Sequence, residues 1–228
     1  MDQLRAIDPL GAGWMAGVVL LACAALAWVN LTAPRQWGVL LHSFASVRLG
    51  KQRVRAELDL GDRNLALLML TAILLIGLFA YEVAFFRGWG APGLPAFGMI
   101  LLVTALALVA QMVLLRTIGF LAGDDGGLEE YLRTMVVLNV CLGLIFLPLS
   151  IAMAWPALVA WRVPVCTVGL LLAAAFLLFR WVRAVAIGIG HGTPVRYVCI
   201  YLCAAEALPL ALAMHFAGFL PSASSPTL

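Results

Sequence analysis

The chain has 228 residues, of which 64% are hydrophobic and 11% are charged, and its mean hydropathy is +1.07. Charged residues make up about 25% of soluble globular proteins, so the composition excludes that class and predicts an integral membrane protein. The formal net charge of +3 reflects an uneven distribution of arginines, and we expect no nucleic-acid partner.

Six apolar stretches approach or exceed the roughly 18 to 20 residues that cross the hydrocarbon core as a helix. A strand of a membrane β-barrel would alternate apolar and polar residues, whereas residues 65–79 are apolar on every face apart from Thr71. We therefore predict an all-α fold in which residues 1–228 form a single transmembrane domain, a six-helix bundle. The predicted spans are residues 12–31, 64–86, 95–115, 134–155, 163–183 and 197–219.

The segment between the first two spans has apolar residues at helical spacing with basic residues between them. It predicts an amphipathic helix over about residues 35–49 that lies on the inner membrane surface. The alternative is a connector that only sets the topology. The residues expected to contact the membrane surface are Trp37, Phe44, Arg48 and Lys51.

Basic residues are concentrated in the connections after the first, third and fifth spans. Short cytoplasmic loops collect Lys and Arg, so we expect a bacterial inner-membrane protein with both termini in the periplasm. The opposite side keeps Arg5, Arg87 and Arg162. The other eleven of the fourteen basic residues are Arg35, Arg48, Lys51, Arg53, Arg55, Arg63, Arg116, Arg133, Arg180, Arg183 and Arg196.

The sequence contains no recognisable catalytic, metal-binding or cofactor motif. All five cysteines fall inside predicted spans, where cysteine acts as a small apolar packing residue. The acidic residues within 124–130 could hold Mg²⁺, although a turn and helix N-cap is the favoured interpretation. We expect no metal and no cofactor, and enzymatic activity stays open.

Polar side chains inside the spans are the main candidates for function. At about 1.5 Å per residue, Glu206 lies roughly 15 Å from the level of Arg196, deeper than the others. An acidic residue at the centre of a membrane helix costs about 2.5 kcal/mol or more, so we expect Glu206 to act in a polar pocket or proton relay. The alternative is that each amide joins two helices independently and that Arg180 extends to the headgroups. The expected pocket contains Gln111, Asn139, Arg180, Tyr201 and Glu206, and Glu82 and His215 are expected to form a shallower pair.

Pro148 and Pro209 each lie within a span that is expected to run outward from the cytoplasm. Proline frees a backbone carbonyl one turn earlier, so we predict kinks at comparable depths in the fourth and sixth helices. For Pro209 the freed carbonyl belongs to Ala205, beside Glu206.

The sixth span contains the run Tyr201-Leu202-Cys203-Ala204-Ala205-Glu206-Ala207-Leu208-Pro209, and Asn139, Gly143 and Leu147-Pro148-Leu149 lie upstream. Together these residues resemble the domain-of-unknown-function family numbered 4271, polytopic membrane proteins found chiefly in Bacteroidota. The resemblance covers most of the chain from about Pro34 onward. It implies an inner-membrane location, a multi-helix fold and a functional core of Asn139, Tyr201, Glu206 and Pro209, and it implies no particular activity.

We expect a protein without enzymatic chemistry of its own, acting as an accessory or assembly subunit of an envelope membrane complex. The alternative is a small-solute transporter or proton-coupled channel centred on Glu206. A transporter needs a water-accessible cavity that reaches Glu206, whereas a subunit exposes an apolar or small-residue helix face to its partner. Besides the lipid bilayer, the expected partner is another membrane protein or a second copy of the chain.

The distribution of basic residues gives a direct test of topology. A reporter fused after Leu228 should read as periplasmic, and reporters inserted at Lys51 or Gly126 should read as cytoplasmic, because the basic connections are retained inside. A cytoplasmic reading at Leu228 would mean that the number of spans is wrong.

Overall fold

The computed structural model describes residue 10 and residues 13–38, 40, 63–89, 92–122 and 128–190. Within this part of the chain the structure is helical and contains no strand, which confirms the all-α fold there. We number the long helices in chain order. They are α1, Gly13–Thr32; α2, Arg63–Phe86; α3, Leu94–Ala122; α4, Leu128–Ala154; and α5, Arg162–Gly190, which follows a short 3₁₀-helix at Pro156–Trp161.

Each long helix contains a stretch that is long and apolar enough to cross a membrane. The chain is therefore a multi-pass membrane protein, and the first five predicted spans coincide with these helices. The sixth predicted span, residues 197–219, lies outside the described residues. The five candidate spans are Gly13–Thr32, Arg63–Phe86, Leu94–Thr117, Glu130–Ala154 and Ala157–Gly190.

α3 and α5 extend further than the sequence predicted. Their predicted spans end at residues 115 and 183, whereas the helices continue to Ala122 and Gly190, about two turns more. Arg116 and Arg183 mark the ends of the apolar stretches, but arginine is a good helix former and does not stop the backbone hydrogen bonding. Hydropathy therefore locates the part that crosses the bilayer and not the end of the helix.

α2 occupies the centre of the bundle, in contact with α1, α3 and α4, and α4 in turn contacts α5. Met15 of α1 clusters with Tyr81 of α2, whereas Val29 clusters with Leu65 and Leu68. These two helices are therefore antiparallel. The direction alternates along the chain, so α2 and α4 are parallel neighbours.

One end of the bundle carries most of the described basic residues. α2 begins at Arg63, α3 passes Arg116 close to its end, and α4 and α5 contribute Arg133 and Arg183. We refer to this as the basic end, and to the other, where α3 and α5 begin, as the opposite end. The topology prediction assigns the basic end to the cytoplasm.

α2 and α4 approach each other closely because Gly143 has no side chain. A Cβ atom at Gly143 would lie 2.7 Å from the Cα and 2.9 Å from the Cβ of Ala72. Further along the same interface the rings of Phe79 and Phe146 stack with their centroids 4.3 Å apart. The Phe79 ring also occupies the space that a side chain at Gly169 of α5 would need. Small residues thus bring three helices together, as is common in membrane bundles.

An aromatic cluster holds the α2–α3 connection at the opposite end. The Tyr81 hydroxyl accepts a hydrogen bond of 3.0 Å from the backbone N–H of Gly93, whose φ of 117° favours glycine. The Tyr81 ring lies 5.5 Å from the ring of Trp14 and 5.9 Å from that of Phe97. Tyr81 therefore connects α2 to the first turns of both α1 and α3.

The proline kinks remain predictions. α4 continues as a helix through Pro148 to its end at Ala154, and Pro148 itself is exposed. Pro209 lies outside the described residues.

The predicted interfacial helix over residues 35–49 is described only in its first part. Residues 35–38 and 40 are helical, and Trp37 packs with Leu40 against the core formed by α1, α2 and α4. Trp37 therefore contacts the bundle, and the interfacial helix itself stays a prediction. The other predicted surface contacts, Phe44, Arg48 and Lys51, lie outside the described residues.

The contact at Gly143 predicts an unusually large effect of a single methyl group. Gly143→Ala should destabilise the protein by about 1 to 3 kcal/mol, because the new methyl meets the Ala72 backbone, which cannot rotate away. Thermal unfolding in detergent, followed by tryptophan fluorescence, measures the change.

Gly98→Ala is the matched control, because a Cβ atom at Gly98 in α3 meets nothing within 4 Å. It should be neutral or slightly stabilising, since alanine favours helix by up to about 1 kcal/mol over glycine. Equal stability of the two variants would contradict the close α2–α4 approach.

Candidate functional site

Arg180 of α5 lies inside the bundle. Its side chain is 7% exposed, and the adjacent Gln111 and Tyr131 are 8% and 3% exposed. The Nε atom of Arg180 donates a hydrogen bond of 3.2 Å to the Tyr131 hydroxyl, and Nη2 donates one of 3.2 Å to Oε1 of Gln111. One guanidinium therefore joins α3, α4 and α5. We call these three residues the Arg180 cluster.

The cluster follows from the chemistry of a buried guanidinium. Removing a charged group from water is costly unless it is hydrogen-bonded, and arginine presents five N–H donors in a fixed planar fork. The amide oxygen of Gln111 and the phenol oxygen of Tyr131 each accept one of these donors. Two hydrogen bonds thus hold the buried Arg180 guanidinium against neighbouring helices.

A second arginine of α5 is buried beside the cluster. Arg183 is 3% exposed and interacts favourably with the carboxylate of Glu130 in the first turn of α4. Arg180 and Arg183 are three residues apart and share one face of α5. The apolar residues Leu115, Leu132, Met135, Ala184 and Ile187 surround this region of the basic end.

A different polar cluster lies at the opposite end of the bundle. Glu82 of α2 and Ser150 of α4 are both 0% exposed. The Glu82 carboxylate interacts with the Ser150 hydroxyl and, electrostatically, with the Arg162 guanidinium of α5. Arg162 also donates a hydrogen bond of 2.9 Å from Nε to the backbone oxygen of Met153. Neither carboxylate oxygen of Glu82 has a hydrogen-bond partner at full hydrogen-bond geometry among the described residues. We call Glu82, Ser150 and Arg162 the Glu82 cluster.

α2 and α4 each carry two buried polar residues at the same spacing. Thr71 and Glu82 are eleven residues apart on α2, and Asn139 and Ser150 are eleven apart on α4. Eleven residues make about three turns, so each pair lies on one face of its helix. Asn139 is 6% exposed, and its Nδ2 has no hydrogen-bond partner in the described part of the chain. The parallel helices thus carry buried polar groups at two levels, of which Glu82 and Ser150 meet across the interface.

The two clusters differ in the chemistry that they can perform. In the Arg180 cluster one cation donates hydrogen bonds to the oxygens of Gln111 and Tyr131, which connects three helices. In the Glu82 cluster a carboxylate lies beside a hydroxyl and a guanidinium, and such a group can take up or release a proton. The described residues contain no group of three or more His, Cys, Asp or Glu side chains that could hold a metal ion.

The structure brings together two members of the polar pocket predicted from sequence, Gln111 and Arg180. Asn139 is buried, but no hydrogen bond in the described part of the chain joins it to them. Glu206 and Tyr201 lie outside the described residues, as does His215, the partner predicted for Glu82. The pocket centred on Glu206 therefore stays a prediction.

The sequence reasoning did not identify Tyr131 or the Glu82 cluster. Tyr131 and Arg162 lie just before the spans predicted to start at residues 134 and 163, so they were not counted as intramembrane groups. Ser150 has no reactive neighbour nearby in the sequence, because the groups beside it in the structure belong to α2 and α5. The observed helices start at Leu128 and Arg162, so spans counted from these residues would have included both Tyr131 and Arg162.

The Arg180 cluster makes a quantitative prediction for stability. Tyr131→Phe and Gln111→Met each remove one acceptor and keep the packing volume, so each should cost about 1 kcal/mol. Because both act through one guanidinium, the double variant should deviate from the sum of the two by about 0.5 kcal/mol or more. Unfolding in mixed detergent micelles provides the measurement.

Thr104→Val is the control, since the Thr104 hydroxyl bonds only to Ile100 of its own helix, at 2.8 Å, in the described structure. It should change stability little. Strict additivity of Tyr131→Phe and Gln111→Met would contradict a shared hydrogen-bonding centre.

Comparison with protein families gives one match. The family model described as a domain of unknown function and numbered 4271 matches residues 15–217, so it includes α1 in addition to the region expected from the sequence. No curated protein and no solved structure matches the chain. Since the match covers most of the chain, the protein belongs to the domain-of-unknown-function family numbered 4271.

Proposed function

We propose that the protein is a non-enzymatic accessory or assembly subunit of an envelope membrane complex in the bacterial inner membrane. The observation that carries this proposal is the Arg180 cluster. Its guanidinium donates hydrogen bonds that connect α3, α4 and α5, which supports a structural role for an intramembrane charge. Ionisable groups that serve transport usually face a water-filled path instead.

The cavity between α2 and α3 agrees with a structural role. It has a volume of about 500 Å³, and apart from Arg116 its lining is apolar. Gln111, Asn139, Arg180 and Glu82 are not among its lining residues. A cavity of this kind suits hydrocarbon better than water or a polar solute.

The first half of α3, nearer the opposite end of the bundle, offers a face for a partner helix. Met99, Leu102 and Leu106 are each more than half exposed and follow the three-four spacing that allows left-handed packing of helices in membranes. This stripe ends before the cavity along α3, and Val109 and Val113 of the cavity continue the same helix face. We assign the stripe to contact with another membrane protein of the complex.

A second candidate function is a proton-coupled transporter or channel, in which Glu82 takes the place that sequence analysis gave to Glu206. Its support is the buried Glu82 carboxylate and the polar residues Thr71, Asn139 and Ser150 along the same interface. Buried acids of this kind form proton relays in membrane pumps.

Copurification tests the proposed function. The full chain, isolated from native membranes in a mild detergent, should retain a specific membrane protein at fixed stoichiometry. The double variant Leu102→Trp, Leu106→Trp should lower the retained partner by about tenfold, because the larger side chains disrupt a packed helix interface. The level of the chain itself should not change, since lipid accommodates tryptophan at these positions.

Leu171→Trp is the matched control, because Leu171 of α5 is 64% exposed but lies on a different helix. It should leave the partner bound. A chain that purifies without any stoichiometric partner would contradict the subunit function and favour the transporter.

A further inference from the structure

The cavity between α2 and α3 has apolar walls and a single charged residue at one end. Its walls are apolar side chains of α2 and α3, with Leu132 and Val136 of α4 at the back. Among its lining residues Arg116 alone is charged, and it stands at the basic end. Leu70, Val109 and Val113 of its lining are each more than half exposed, so an occupant can enter from the bilayer.

A second arginine lies at the same end. Arg63 begins α2 and is exposed, and it shares a helix face with Ala66, Leu70 and Ile73, which line the cavity. Arg116 is also exposed, and neither side chain makes a hydrogen bond or ion pair in the described part of the chain. Two exposed guanidinium groups thus accompany an apolar groove.

The length of the groove matches one leaflet of a bilayer. Its α2 residues run from Leu65 to Ile73 and its α3 residues from Leu108 to Arg116. Eight residues of helix rise about 12 Å, close to half of the hydrocarbon thickness of roughly 30 Å. An acyl chain that enters beside the arginines would therefore end near the bilayer midplane.

We propose that this groove binds an anionic phospholipid, with its phosphate group at Arg116 and Arg63 and one acyl chain between α2 and α3. Bulk lipid is as apolar as the groove, so the acyl chain alone gives no preference for one lipid over another. Selectivity comes from the headgroup, because arginine binds phosphate oxygens through paired N–H donors. Basic pockets between membrane helices are a known way of holding anionic headgroups. If the basic end is cytoplasmic, the lipid comes from the inner leaflet.

Lipid binding to the purified full chain tests the proposal, with phosphatidylglycerol and phosphatidylcholine of identical acyl chains as probes. Native mass spectrometry should show stronger retention of phosphatidylglycerol. Arg116→Gln should weaken its binding by about fivefold, and Arg63→Gln, Arg116→Gln together by more, since each arginine contributes about that factor near a surface. Phosphatidylcholine binding should change little.

Two kinds of control variant distinguish lipid binding in the groove from nonspecific attraction of an anionic lipid to the arginines of the protein. Arg87→Gln removes an exposed arginine at the opposite end and should leave phosphatidylglycerol binding unchanged. Leu70→Trp fills the groove without changing charge and should lower the binding of both lipids, whereas Leu102→Trp, outside the groove, should not. Equal retention of the two lipids, or equal effects of Arg116→Gln and Arg87→Gln, would overturn the proposal. So would a photocrosslinker at Val113 that captures a protein helix and no lipid.

Discussion

The close approach of α2 and α4 at Ala72 and Gly143 is the constraint on which the described bundle depends. In a bilayer no hydrophobic force drives helices together, so their association relies on packing, hydrogen bonds and lipid entropy. The absence of a side chain at Gly143 lets the two backbones meet and sets their parallel register. That register places Phe79 against Phe146 and brings Glu82 to Ser150. α1, α3 and α5 then pack around this pair.

Polar groups stabilise the two ends of the bundle in different ways. At the basic end, Arg180 satisfies two acceptors from neighbouring helices, and the arrangement is fixed because a buried cation cannot lose its partners without a large cost. At the opposite end, Tyr81 connects three helices through its ring and hydroxyl, and Glu82 lies nearby in α2 without a well-formed hydrogen bond in the described structure. The first cluster therefore serves the architecture, whereas Glu82 keeps a capacity for proton exchange that the packing does not require.

The sequence predicted the helices well and their mutual contacts poorly. Length and apolarity identified five helices, because each apolar stretch is long enough to cross the hydrocarbon, but some helix ends lie up to two turns beyond the predicted ones. Depth alone placed Gln111 and Arg180 at similar levels, and they do meet. The rotation of each helix could not be predicted, since helices so rich in Leu and Ala show no polar face that would identify the interior. For that reason the contact of Tyr131 with Arg180, and the neighbours of Glu82, became visible only in the structure.

Proton flux through the purified chain distinguishes a structural subunit, whose helices the Arg180 cluster connects, from a transporter that moves protons through Glu82. The purified full chain, reconstituted into liposomes with a pH gradient and a membrane potential, is compared with protein-free liposomes through a trapped pH-sensitive dye. A structural subunit should give the same slow decay of the gradient in both. A faster decay that disappears in Glu82→Gln, with the variant folded, would contradict the structural role and make Glu82 the centre of a proton pathway.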